Sequence, residues 1–382
     1  MPRVCRALWA ILLVVAVGCQ AAAPPAAPTA RPAAPAAGAP TAATSGGTSA
    51  GATTAAPSAG GMPAPLNPPV TVKVGLLSSI SDSGVYIGYE RGYYRDLGLD
   101  LDLETIPDPN TIGQLVNSNR LDVGGYGVNA NPFMASARDI SVKMVADKGS
   151  MRPGFGYNLL LARQDLWESG QIHGFADLRG HTLARLSQCD SHDPLIQRML
   201  DAGGLTRNDV EITFLSFPDM NAALANGGVD LALQIEPLAT LAVERGIAGR
   251  VATGDEIYPN QQIAALYYSP EFAARTDVAQ RFMVAYVRSL RDYNDAFAKN
   301  QGRAEVAQIL SRQTTVKDLA LYDRIIPAGL DPDGHLNVQG IRDDVALYAR
   351  LGCITGEVAD VGRVIDESFV NYAIGVLGPY QQ

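Results

Sequence analysis

Seven consecutive residues, Ser187-Gln188-Cys189-Asp190-Ser191-His192-Asp193, bring together a thiol, an imidazole and two carboxylates. Cys, His and an acid are the parts of a nucleophilic site, but the base must reach the sulfur and be orientated by a third group. Nearness in sequence supplies none of that geometry. Asp193-Pro194 also marks the stretch as a loop running into a helix. The plainer chemistry is binding, with Ser187, Gln188, Asp190 and backbone amides holding a ligand's polar groups. A second candidate, Gly125-Tyr126-Gly127-Val128-Asn129-Ala130, formally matches G-x-G-x-x-A, and Asp147 sits near the distance of a ribose-binding acid. These glycines do not open the chain's first strand–helix unit, and Asn131-Pro132 starts a new helix, so a dinucleotide site is excluded. What remains is a helix start with free N–H groups, flanked by Tyr126 and Asn129. Asp100, Asp102 and Glu104 alternate with leucines, which reads as the solvated face of an edge strand rather than a cation site.

Two further loops carry polar groups. Ser78-Ser79-Ile80-Ser81-Asp82-Ser83 follows an apolar run and precedes a helix. One of its residues suits the N-cap, while Ser79 and Asp82 are expected to touch ligand. Tyr86, in the first turn of that helix, can reach the same place; Tyr89, Tyr93 and Tyr94 read as packing. In Gln234-Ile235-Glu236-Pro237, Gln234 and Glu236 are candidates, and Glu236 either accepts from a ligand or caps its helix. Tyr157 lies in a connecting stretch, and of the pair Tyr267-Tyr268 only one ring can face a cleft, because strand side chains alternate. The four loops hold Asp82, Asp190, Asp193 and Glu236 but no Lys or Arg; Arg152 is the one basic residue nearby. An anion desolvated against acids is unfavourable. A neutral, donor-rich ring stacked on Tyr126, Tyr157 and Tyr267 fits better.

The elements that would position these loops alternate regularly. Val70 to Leu77 is β-rich, Val85 to Tyr94 has helical spacing, Gly98 ends that helix, and a strand follows. Leu115–Val123 and Ala223–Leu231 echo each other as helix end, polar turn and a strand opening on Leu/Val-Asp. Two α/β halves built alike set their strand-end loops across a cleft, where open α/β sheets bind ligands. The 382 residues allow two to three domains, and the formal charge of −9 argues against nucleic acid and anionic lipid as partners. Four scattered cysteines with no CxxC pair form neither a disulfide framework nor a zinc site; Cys189 and Cys353 are expected to lie in different lobes and to stay unpaired.

The segment Gly84-Val85-Tyr86-Ile87-Gly88-Tyr89-Glu90-Arg91-Gly92-Tyr93-Tyr94-Arg95-Asp96-Leu97-Gly98-Leu99-Asp100 resembles the opening signature of one family of solute-binding proteins. Those proteins serve ABC importers for nitrate, taurine, alkanesulfonates, thiamine pyrimidine precursors and related vitamins such as riboflavin. The resemblance continues through Leu121-Asp122-Val123-Gly124, Asp177-Leu178-Arg179-Gly180, Gly204 to Val210, Val229-Asp230-Leu231-Ala232 and Glu236-Pro237, covering roughly 70 to 300. It implies a two-lobed, periplasmic-binding-protein-like α/β fold with two parallel-type sheets joined by two crossovers. Lobe one is expected at 70–158 plus 268–382 and lobe two at 159–267, with a small-molecule ligand, an ABC permease and its ATPase as partners. It implies a monomeric binding protein, not an enzyme, with no cofactor and no metal. The chain lacks the Cys-rich run of the pyrimidine-making branch and the Trp-Pro-Asn…His opening of pyrimidine-precursor binders; Ile80-Ser81-Asp82-Ser83-Gly84 stands there instead. Riboflavin is therefore the first expected ligand and a thiamine pyrimidine precursor the second. A sulfonate, taurine or nitrate binder is the alternative, and a pyrimidine-precursor enzyme on the same fold a more distant one.

The start of the chain reads as a targeting segment. Arg3 and Arg6 precede the apolar run Ala7–Val17, too short for the ~20 residues that span a bilayer. Ala16-Val17-Gly18-Cys19 resembles a bacterial lipobox, which implies removal of 1–18 and a lipidated Cys19 that anchors the protein on the extracytoplasmic face of the cell membrane. Residues 19–69 are almost wholly Ala, Pro, Gly, Thr and Ser with Arg31 the only charge, a composition that cannot offset the entropy of ordering. They are expected to be a disordered tether.

Overall fold

A computed structural model describes residues 61–136, 142–356 and 360–381. The signal segment, Cys19 and the tether up to residue 60 lie outside the described residues. The tether ends earlier than its composition suggests. Leu66 N–H donates to Leu97 O, and the Arg281 guanidinium donates to Ala64 O, so the chain is fastened to the body from Ala64 onward.

The first sheet contains β1 (Val70–Leu76), β2 (Leu99–Thr105), β3 (Val123–Gly127), β4 (Lys143–Ser150) and β10 (Gln262–Tyr268), in the order β2-β1-β3-β10-β4. The second contains β5 (Asn158–Arg163), β6 (Thr182–Arg185), β7 (Glu211–Phe214), β8 (Leu231–Ile235) and β9 (Ala248–Thr253), in the order β7-β6-β8-β5-β9. The two orders correspond strand by strand. Each sheet is mixed, because β10 and β5 run antiparallel to both of their neighbours while the other strands share one direction. The acidic alternation of β2 sits on an edge with Asp100, Asp102 and Glu104 exposed, as an edge strand requires.

The connecting helices are α1 (Ser83–Glu90), α2 (Pro109–Asn117) and α3 (Asn131–Ser136) in the first lobe. The second lobe has α4 (Gln164–Glu168), α5 (His192–Gly203), α6 (Phe217–Asn226), α7 (Leu238–Glu244) and α8 (Gly254–Ile257). Then come α9 (Pro270–Ala274), α10 (Thr276–Ala298), α11 (Arg303–Gln313), α12 (Val338–Arg350) and α13 (Ser368–Leu377). The 23-residue α10 buries one continuous face, including Phe282, Tyr286, Leu290 and Tyr293. It thereby covers the first sheet, since an amphipathic helix is stable only with its apolar stripe packed.

The sequence echo has a structural cause. Asp122 and Asp230 each close the turn between a helix and the central parallel strand. Asp122 Oδ2 accepts from Lys73 N–H of β1 at 2.9 Å, and Asp230 Oδ2 accepts from Thr182 N–H of β6 at 3.1 Å. Each also donates its own N–H to the same residue's carbonyl. The Leu/Val-Asp pair is thus a clamp that aligns the first and third parallel strands of each half, β1 with β3 and β6 with β8.

The chain leaves the first sheet after Ser150, enters the second at Asn158, and returns between Ile257 and Gln262. The return comes earlier than the expected 268, because β10 pairs along its whole length with β3 on one side and β4 on the other. Residues 262–267 therefore belong to the first lobe. Buried polar contacts fill the crossover region. Gln261 Nε2 donates to Ser191 O at 2.8 Å and to Asp344 Oδ2 at 3.0 Å, joining the return crossover to α5 and α12. Cys189 and Cys353 are disulfide-bonded, which corrects the expectation that they stay free. They are 164 residues apart, and the packing of α12 against the first sheet brings them together.

Burial pushes the Asp344 carboxyl up to about 7, against an ordinary value of 3.8. A carboxyl whose folded value is raised stabilises the fold fully below pH 3.8 and loses that contribution as pH rises through about 7. Asp344→Asn is expected to flatten this dependence. Thermal unfolding of the two proteins between pH 4 and 8 should show the native protein losing stability relative to the variant, by roughly 1.4 kcal/mol per pH unit at most.

Candidate functional site

A cleft with about 480 Å³ of free space, including the part open to solvent, lies where the strand-end loops of the two sheets meet. Lobe one lines it with Leu77, Ser79, Ser81, Gly127, Asn129 and Lys148; lobe two adds Tyr157, Leu186, Ser187, Asp190, His192 and Phe217. The loops after β1 and β6, equivalent in the two halves, each contain a non-glycine residue in the left-handed region, Ser78 (φ 63°) and Cys189 (φ 60°). Both loops turn sharply at the sheet edge so that the next helix can start at the cleft.

The floor is a buried polar cluster. Lys148, 1% exposed, donates from Nζ to Ser81 Oγ at 2.8 Å and pairs with Asp82 Oδ1 at 2.8 Å. Asp82 Oδ2 accepts from Ser79 N–H at 2.8 Å, and the Ser79 and Ser81 hydroxyls are 2.8 Å apart. Gly125 leaves the space for this lysine: a Cβ there would come within 2.5 Å of Lys148 Cε. Gly127 likewise lets the first lobe approach Ser191 of the second, 3.2 Å from where its Cβ would be. The glycines that imitate a nucleotide motif are thus packing devices for the cleft.

The second lobe neutralises its own acids. Arg185, buried in β6, donates to Asp190 at 2.5 Å and bidentately to Asp193 at 2.7 and 2.9 Å, and Arg207 reaches Asp193 as well. Arg185 and Arg207 hold the Asp193 carboxyl below its ordinary range despite burial. Ser187 Oγ donates to Asp190 Oδ2 at 2.6 Å. His192 Nε2 is 2.9 Å from Asn158 Oδ1, and burial lowers its pKa, which favours the neutral imidazole. Its Nδ1 has no hydrogen-bond partner among the described residues.

The sequence-derived residues divide sharply. Ser79, Asn129, Tyr157, Ser187 and Asp190 all line the cleft. Asp82 lies beneath them as the partner of Lys148. Tyr86 is buried in the core of the first lobe. Gln188 is exposed and outside the cleft lining. Gln234 is fully buried and donates to Phe217 O and Asn221 Oδ1, each at 2.8 Å. Glu236 is fully buried near the crossovers, where it accepts from Thr240 N–H and Oγ1 and from Ile326 N–H. It ties the two lobes together, and burial pushes its carboxyl up. Tyr126 and Tyr267 stack on each other, with ring centroids 4.0 Å apart and planes 8° from parallel. They pack on the same face of the sheet, because the antiparallel register of β3 and β10 sets Tyr267 opposite Gly124, beside Tyr126.

Lys148 and Arg185 were missed because both come from strands rather than loops: Lys148 lines the cleft and Arg185 stands behind the acids of its second lobe. The legible signal was a lysine in the buried Asp147-Lys148-Gly149-Ser150 end of a strand, where an unpaired charge is unfavourable. His192 and Phe217 were missed as wall residues; their rings meet edge-on at 6.2 Å. Arg152 does not line the cleft and instead donates to Asn294 Oδ1.

Removing Lys148 would leave Asp82 buried and unpaired. Lys148→Met is expected to lower stability by about 3–5 kcal/mol, and Lys148→Met combined with Asp82→Asn to recover most of it. Urea unfolding of the two variants measures this directly.

The family model described as NMT1/THI5 like matches residues 80–298. No curated protein sequence matches the chain. Among solved structures, the periplasmic nitrate-binding protein NrtA from Synechocystis PCC 6803 is similar with a TM-score of 0.67 at 15% identity, covering 80% of this chain and 88% of its own. The ligand-binding component of an ABC-type import system from Staphylococcus aureus, with zinc bound, gives 0.66 at 16% identity, with 79% and 98% covered. The alkanesulfonate-binding protein SsuA from Xanthomonas axonopodis pv. citri, bound to MOPS, gives 0.62 at 20% identity, with 78% and 98% covered. The desulfurization enzyme DSZB shares the fold at 0.56 and 15% identity, with 79% and 99% covered.

Proposed function

The chain belongs to the NMT1/THI5-like family, and on that premise we propose that it is the substrate-binding lipoprotein of an ABC importer, capturing a neutral aromatic ring in the interlobe cleft. The observation that carries the ligand class is the pairing of every charge around the cleft within the protein. Lys148 is met by Asp82, and Asp190 and Asp193 are met by Arg185. A neutral ligand leaves those pairs intact. Tyr157 and Phe217 supply aromatic rings, while Ser79, Asn129 and Ser187 supply hydrogen bonds.

A single-ring aminopyrimidine suits this cleft better than riboflavin. Two of the three tyrosines that would have sandwiched a flavin are stacked on each other. Binding rather than turnover fits the lysine, because an ammonium donating to Ser81 and paired with Asp82 is not a base for that hydroxyl. A second reading, an anionic sulfonate or nitrate, is favoured by one observation, that Lys148 lines the cleft.

Calorimetric titration with 4-aminopyrimidine, riboflavin, taurine and nitrate separates these readings. Aminopyrimidine binding in the micromolar range, near −8 kcal/mol, is expected. Tyr157→Ala should weaken it roughly tenfold, on the scale of about 1–3 kcal/mol per stacked ring. Taurine or nitrate binding without aminopyrimidine binding would replace the neutral-ring reading by the anionic one.

The disulfide supports an exported location, since such bonds persist in oxidising compartments. Cys19 is the proposed anchor to the membrane that holds the permease and its ATPase. Cys19→Ala is expected to move the protein from the membrane to the soluble fraction of cells. A variant that stays membrane-bound would remove the anchor from the proposal.

A further inference from the structure

The Cys189–Cys353 disulfide joins the two lobes. Cys189 stands in the loop after β6, between the cleft-lining residues Ser187 and Asp190. Cys353 follows α12, which belongs to the first lobe. There Ile341, Val345 and Tyr348 share one apolar cluster with Tyr126, Val128 and Tyr267, and Tyr348 Oη donates to Val128 O. The bond is therefore a covalent connection between lobes in addition to the two crossovers.

Its position gives it leverage. Along α12, Asp344 touches the crossover residue Gln261, whereas the helix ends six residues later at Arg350, about 9 Å further on. Cys353 lies beyond that end, so the bond acts away from the crossover axis. It also holds a backbone contact across the cleft: Ala130 N–H donates to Cys189 O at 3.0 Å, and Asn129 and Asp190 pair as an isolated bridge. Both cysteine residues are half-buried.

We propose that this disulfide is a strap that limits opening of the cleft, so that its redox state sets how readily the lobes part. Reduction by a dithiol breaks the S–S bond; the two sulfurs take up two electrons and two protons as thiols, and the dithiol becomes a disulfide. The lobes are then joined by the crossovers and by noncovalent contacts, among them Glu236 with Ile326 and Arg324 with Glu244. The role in ligand exchange rests on the reading of the cleft as a solute site, but the strap itself is tested without any ligand.

The test is hydrogen exchange, followed by mass spectrometry, on the full chain in three forms: oxidised, reduced with dithiothreitol, and Cys353→Ser. The temperature is set well below unfolding of the least stable form. Exchange in 127–131 and 187–192 is expected to be roughly tenfold or more faster in the second and third forms, with β5 and β8 unchanged. Equal exchange of the cleft segments in all three forms, or a parallel rise throughout both lobes, would make the bond a general staple and overturn the proposal. If Cys353→Ser does not fold, the reduced native protein gives the same comparison. A cleft that opens on reduction yet binds none of the titrated ligands would keep the strap and reject the ligand reading.

Discussion

A lysine ammonium buried to 1% exposure has to be met inside the protein, because the interior offers no water to replace its hydration. For Lys148 that condition organises the first lobe around the cleft. β4 must end beside the loop after β1, so that Nζ reaches both Ser81 and Asp82. β3 must carry glycine at 125, so that the lysine stem passes between. The same carboxylate must accept from Ser79 N–H, which fixes the turn that starts α1. One ion pair therefore ties two strands, a loop and a helix start into a floor that no single loop could hold rigid. The pairing adds little net stability over an apolar floor of equal volume, but breaking one side of it is expensive. Its value is positional: Ser79 and Ser81 are held at the lining of the cleft.

The second lobe solves the equivalent problem with opposite signs. Its cleft loop brings in acids, Asp190 and Asp193, and the cation comes from inside the sheet as Arg185. In both lobes the loop after the first parallel strand carries the carboxylates and a strand carries the base. The repeated strand order and the twin Asp122 and Asp230 clamps make the scaffold the same twice. The charge arrangement differs because the bases sit on different strands, β4 at the sheet edge in one lobe and β6 inside the sheet in the other.

This division explains what could be read from the sequence. Strand and helix periodicity located β1, β2 and the start of α1, which ends at Glu90 rather than continuing to Tyr94 because Gly92 turns the chain (φ 77°). The Leu/Val-Asp echo located β3 and β8, because the clamp leaves an Asp at the same point of each half. Polar loops after apolar runs gave Ser79, Asn129, Ser187 and Asp190, since a strand-end loop at a sheet's carboxyl edge faces the cleft whatever its partners are. What stayed hidden depends on long-range register. Whether Tyr126 and Tyr267 face a ligand or each other is decided by the antiparallel pairing of β3 with a strand nearly 140 residues later. Glu236 follows a strand as a ligand residue would, but it is consumed by Ile326, from a segment no local pattern connects to it. The disulfide is illegible for the same reason, with its two cysteines placed by α12 folding back across the first sheet.

The paired charges also bear on how such a cleft could discriminate. A site that offers an unpaired cation attracts anions from a distance and holds them by charge, with shape in a secondary role. Here an entering anion must compete with Asp82 for Lys148 in a buried setting, and success would leave that carboxylate without its partner. A neutral ring meets no such competition. It exchanges water for the faces of Tyr157 and Phe217 and adds hydrogen bonds to hydroxyls and amides that are already fixed. Selectivity would then rest on the count and direction of those neutral partners. A site built to hydrogen-bond a given group rejects an analogue lacking it, because its own buried polar atoms are left unpaired.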